Sequence, residues 1–131
     1  MKKKPIDNKC LRKAFRSNAA FIALGDIVSF QQGGCWIAAR AIQREYGGKL
    51  MLVASDRSHS EHVVVEKDGV FYDSVGAQTK AQLLRRMARE EGVPNPRIEP
   101  YNRAILGKGL PVSESIARQV QALFSSCPRK W

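Results

Sequence analysis

Three residues of the sequence have the types and the chain order of a nucleophilic thiol and its helpers: Cys35, His62 and Asp73. Cys35 stands in "QQGGCWIAARAI", where two glutamines and two glycines lead directly into a helical pattern. The start of a helix carries unpaired backbone N–H groups and a partial positive charge. Both favour a thiolate over a thiol, and the same N–H groups can hold a developing oxyanion. On this reading Gly33 and Gly34 keep side chains out of a substrate's approach.

A nucleophilic cysteine needs a base, and the chain offers His59 and His62. His59 lies in the polar "SDRSHSE" and reads as solvated, whereas His62 opens the apolar run "HVVVEK". Asp68-Gly69 is the dipeptide that a two-residue type I′ hairpin requires. Lys67 is therefore expected opposite Val70, Val65 opposite Tyr72 and Val64 opposite Asp73. Side chains alternate along a strand, so His62, Val64, Phe71 and Asp73 should share one face, with His62 and Asp73 as diagonal neighbours. A carboxylate on one imidazole nitrogen fixes the tautomer and leaves the other nitrogen for the thiol proton. Taken singly, each residue has a plainer reading: an inert buried thiol, a histidine bonded to backbone, an acid shaping a turn. Their joint order is more specific than any member.

These side chains depend on the elements that carry them. Ile37, Ala38, Ala41, Ile42 and Tyr46 make one apolar face of a helix over 35–46, and Gly47-Gly48 is its stop. Upstream, Leu11, Ala14, Phe15, Ala19 and Ile22 recur at three- and four-residue steps, predicting one helix or two short ones between Asn8 and about Leu24, capped by Asp7 or Asn8. Residues 1–8 read as a flexible basic arm and "DIVSF" as an extended link. "KLMLVAS" over 49–55 reads as a strand. Thr79 with Gln82 is a capping box opening the helix "KAQLLRRMAREEG". "VPNPRIEPYN" must be extended or irregular, "AILGKGLP" is a glycine-punctuated loop, and Ser113 opens a last helix to about Ser125. The order predicts a single α+β domain over 1–131, its helices segregated from a small antiparallel sheet.

Composition agrees with a globular chain. A length of 131 residues with 44% apolar and 26% charged residues can bury a core without disulfides or metals. No apolar run approaches the roughly 20 residues of a membrane helix, and no apolar leader follows the basic N-terminus. A cytoplasmic protein is expected, in a bacterium or in a host cell, with no membrane partner. Cys10, Cys35 and Cys127 are odd in number and lack CxxC spacing, so neither a metal site nor a cofactor is expected, and reduced thiols are a simpler expectation than a Cys10–Cys127 bridge. The net charge of +10 favours acidic partners. The basic residues, Arg85, Arg86 and Arg89 among them, are spread out with no aromatic residues alternating between them. They read as a solvated surface, with only weak support for nucleic acid as a partner.

The segments "QQGGCWIAARAI" and "EHVVVEKDGVFYDSVG" resemble the papain-like cysteine hydrolase superfamily in its small bacterial and phage forms. The resemblance covers roughly residues 30–76 and is similar in layout to papain-fold toxin and effector domains, bacteriocin-processing enzymes and transglutaminase-like enzymes. It implies N-terminal helices, a Cys-bearing helix packed on the sheet, and C-terminal helices. It also implies Cys35 as nucleophile, His62 as general base and acid, and Asp73 as the residue that orients the ring. Trp36 matches the aromatic residue common after that cysteine. The family's oxyanion glutamine stands further upstream than Gln31 and Gln32, which are four and three residues before Cys35, so the resemblance implies one of these two as oxyanion donor or the Cys35 backbone N–H acting without a glutamine. The expected function is a cysteine-dependent acyl-transfer hydrolase (thiol peptidase, isopeptidase or glutamine deamidase) acting on an acidic protein or peptide, with an immunity or regulatory protein as a further partner. The alternative is a non-catalytic, small basic binding protein on the same scaffold, docking on nucleic acid or an acidic host protein.

Overall fold

The computed structural model describes residues 6–27, 29–31, 33–102 and 112–127. Residues 1–5 of the basic arm, Gln32 and the "AILGKGLP" loop lie outside the described residues. Asp7 caps α1 (Asn8–Phe15) by accepting from the Cys10 N–H. Ser17 then ends one helix and starts the next: its hydroxyl donates to the Ala14 carbonyl at 2.7 Å and accepts from the Ala20 N–H at 3.2 Å, opening α2 (Asn18–Leu24). Of the two arrangements the spacing allowed, two short helices form.

Helix α3 (Cys35–Tyr46) ends at Gly47, whose φ of 85° suits a residue without Cβ. Strands β1 (Lys49–Ala54) and β2 (His62–Lys67) follow, and Asp68 and Gly69 turn the chain at φ 53° and 80° into β3 (Val70–Asp73). Two positive φ values in succession are the type I′ geometry. The register places Lys67 opposite Val70 and Val65 opposite Tyr72. Ser74 and Val75 make a second tight turn into β4 (Gly76–Gln78), a strand too short to show any period in the sequence. The capping box of Thr79 and Gln82 opens α4 (Lys80–Glu90), β5 (Arg97–Pro100) gathers the proline-rich stretch onto β1, and Ser113 caps α5 (Glu114–Ala122), which runs into a 3-10 turn, Leu123–Ser126.

The molecule is α+β, with one antiparallel sheet ordered β4-β3-β2-β1-β5. The expected segregation of helices does not hold. Leu52, Val63 and Val65 pack against α3 and the terminal helices, while Val53, Val64 and Phe71 pack against Leu83 and Met87 of α4 on the other face. The reason is in β2, where three consecutive valines are all fully buried: such a run has an apolar side on both faces, and each needs cover.

The expectation of reduced thiols is also overturned for two of the three cysteines. Cys10 of α1 and Cys127, just past the 3-10 turn, form a disulfide with a Cα–Cα separation of 5.7 Å. Packing of the first helix against the last turn brings together two residues 117 apart in sequence. Among the described residues no helix is long and apolar enough to cross a membrane.

Candidate functional site

Cys35 is the first residue of α3 and His62 the first residue of β2. At the far ends of these elements, Lys67 donates to the Tyr46 carbonyl at 2.9 Å, so helix and strand run side by side and their starts lie together. The Cys35 thiol lies near enough to the His62 ring to help raise its pKa. His62 Nε2 is 2.8 Å from Asp73 Oδ2, which leaves Nδ1 as the ring nitrogen not held by that carboxylate. Cys35, His62 and Asp73 are therefore neighbours, the last two joined by a hydrogen bond, and Cys35 is the free cysteine of the described residues. Their exposures are 1%, 1% and 0%, so the chain of groups lies under the surface.

Burial opposes charge on the His62 ring, but the bonds to Asp73 and Cys35 outweigh it and raise the imidazole from 6.5 to about 9. Burial likewise works against the Asp73 carboxylate. The His62 bond, the Arg86 guanidinium and the Val75 N–H prevail and hold it below its ordinary 3.8. The shifts are complementary: a ring that keeps its proton beside a carboxylate that gives its up.

Asp73 has more partners than the sequence suggested. Its Oδ1 accepts from the Val75 N–H at 3.0 Å and from Gln78 Nε2 at 3.2 Å, and its Oδ2 also accepts from Arg86 Nη2. Arg86 spends its other donors on Gln78 Oε1 at 2.9 Å and Gln31 Oε1 at 2.8 Å. This corrects the reading of Arg86 as part of a solvated surface: its side chain is 15% exposed and turned into the site. Its signal was positional, since Arg86 follows Leu83 by three residues and adjoins Met87, the two buried residues of α4. Gln78 carried no such signal, because its face is set by pairing with Phe71 in β4.

The residues read as oxyanion or approach elements fare differently. Gln31 Nε2 donates to Ser74 Oγ at 2.7 Å, so its described bonds commit it to the Asp73 side of the site. Gly34 does not clear a path for substrate. It is buried, and a Cβ there would lie 2.6 Å from the Ser29 carbonyl oxygen, to which the Gly34 N–H donates. Glycine is needed because the loop folds back on itself just before the helix. Gly33, at φ 92°, bridges to Ser29 in the same turn. Trp36 is buried in the core and donates its indole N–H to the Tyr101 hydroxyl at 3.1 Å. His59 is exposed, as expected, with Nδ1 3.2 Å from Glu99.

One feature of α3 separates it from the other α-helices. Asp7, Ser17, Thr79 and Ser113 each cap a helix through a side-chain oxygen, whereas α3 has Gly34 at that position and no side-chain cap. Among the described residues, the α-helix that carries the thiol is thus the one whose N-cap residue puts no side-chain oxygen on the helix's first N–H groups.

No protein-family model, curated protein or solved structure matches the chain.

Proposed function

We propose that the protein is a cysteine-dependent acyl-transfer hydrolase of papain-like type, acting on a peptide or protein carbonyl. The observation that carries this reading is a buried imidazole that Asp73 holds at 2.8 Å and whose pKa the neighbouring Cys35 thiol helps to raise. A ring raised to about 9 draws a proton to itself, so His62 takes the thiol proton as the sulfur attacks and then holds it as general acid. The sulfur attacks the carbonyl carbon, and a C–S bond forms as the carbonyl π pair moves to oxygen. That oxygen is met by the N–H groups at the uncapped start of α3. Collapse expels the amine or ammonia, which takes the proton from His62. Water then attacks the thioester, His62 accepts its proton, and the acid leaves as the thiol is restored. Peptide, isopeptide and glutamine side-chain carbonyls share this course.

The near-complete burial of Cys35 means that a substrate must displace neighbouring groups to reach it. That burial, with the +10 charge, is what favours the second reading, a non-catalytic basic binding protein for an acidic partner. The Cys10–Cys127 disulfide favours an oxidising compartment as the place of action over the cytoplasm first expected.

Alkylation by iodoacetamide distinguishes the two readings. Cys35 is expected to react faster than free cysteine at mildly acidic pH, and His62→Ala is expected to slow it by roughly 100-fold. Reaction no faster than free cysteine, unchanged in His62→Ala, sinks the enzymatic reading.

A further inference from the structure

A cavity of about 200 Å³ lies near the buried site, its lining formed by Phe15, Arg16 and Phe21 from the first two helices and their junction and, as a second wall, by Gln31, Ser74 and Val75. Its second wall is built from the site's own segments. Gln31 stands four residues before Cys35, Ser74 follows Asp73, and the Val75 N–H is one of the groups that hold the Asp73 carboxylate. Gln31 and Ser74 are bonded to each other across this wall at 2.7 Å, and Gln31 is tied through Arg86 to Asp73.

The surface around the cavity is unusual for this molecule. Phe21 and Val75 are 51% and 41% exposed, and Ile22, next to Phe21, is 78% exposed. Of the large apolar side chains exposed among the described residues, only Val112 lies in another segment of the chain. Exposed apolar groups that line a cavity together with a charged group mark a place where another chain docks. That charged group is Arg16, which complements an acid, as does the net charge of +10.

We propose that this cavity is a substrate subsite, taking a large apolar side chain of an extended polypeptide whose neighbouring acidic residue pairs with Arg16. The proposal rests on the acyl-transfer reading and adds the class of sequence recognised: an apolar residue next to Asp or Glu, close to the carbonyl attacked.

Four blocked peptides, with Phe or Ser beside Glu or Lys, test it against the full chain carrying Cys35→Ala, binding being followed by NMR at Phe21 and Val75. The Phe–Glu peptide is expected to bind about tenfold tighter than the Ser–Glu peptide. Phe21→Ser with Val75→Ser is expected to erase that difference, and Arg16→Glu to turn the preference from Glu to Lys. These side chains are at the surface, and an unchanged melting temperature verifies that the variants fold. The same Phe–Glu sequence as a chloromethyl ketone is expected to alkylate Cys35 of the unaltered protein about tenfold faster than its Ser–Glu counterpart. If iodoacetamide labels Cys35 in a His62-dependent way but the peptides do not differ, the cavity assignment falls and the acyl-transfer reading survives. If the Phe–Glu peptide binds with these preferences but no electrophile labels Cys35, the acyl-transfer reading falls and takes the word substrate with it.

Discussion

A carboxylate with no exposed surface has to find all its partners inside the protein, and Asp73 has four: the His62 ring, Arg86, Gln78 and the Val75 N–H. Such a group is stabilising only while every partner is in place. Asp73→Asn leaves Arg86 and a charged His62 without their counter-ion and is expected to cost about 3 kcal/mol in urea unfolding. The pH dependence of stability follows from the two shifts. His62 is raised in the fold, so its contribution is complete below 6.5 and is lost as pH rises through about 9. Asp73 is lowered, so its contribution is complete above 3.8 and is lost as pH falls further. Stability is expected to be highest between 3.8 and 6.5 as far as these groups decide it, and chemical denaturation across pH checks this. A maximum above pH 9 contradicts the imidazolium assignment.

At the scale of elements, the site is a meeting of α3, the β2–β3 hairpin and α4. His62 and Asp73 stand on the same sheet face as Val64 and Phe71, which α4 covers, while Cys35 belongs to the core on the α3 side. The sulfur thus meets the ring at the end of β2. Helix α4 contributes Arg86, whose fork spans Gln31, Gln78 and Asp73 at once. Removing this cation raises the pKa of every acid near it. Arg86→Met is therefore expected to move the rise of Cys35 alkylation to higher pH. Arg86→Lys, which keeps the charge but not the fork, is expected to recover most of that shift without restoring the bonds to both glutamines. An alkylation profile that stays in place in Arg86→Met assigns the residue a purely structural role.

At the scale of the molecule, the Cys10–Cys127 bond closes a loop of over a hundred residues and ties α1 to the end of α5 and its 3-10 turn. Closing a loop of that length removes entropy from the unfolded chain worth about 5 kcal/mol in the chain-entropy account. Adding a reductant is expected to lower unfolding stability by about that much, and Cys10→Ser with Cys127→Ser should reproduce the loss. Equal stability with and without reductant removes the reason to place the protein in an oxidising compartment.

The hairpin was legible from the chain because everything that sets it is local: Asp68-Gly69 admits positive φ, the turn sets the register, and the register puts Asp73 beside His62. The bounds of α3 were legible for the same reason, from apolar spacing and the glycines at either end. Neither tells where α3 lies against the hairpin. That the helix starts where β2 starts, that α4 takes the other sheet face and points Arg86 inward, and that the ends of the chain come close enough to join, are consequences of how apolar faces bury one another. Burial energy is summed over contacts between residues far apart in sequence and has no direction of its own. No window of the chain contains it, so these placements had to be read from the assembled structure.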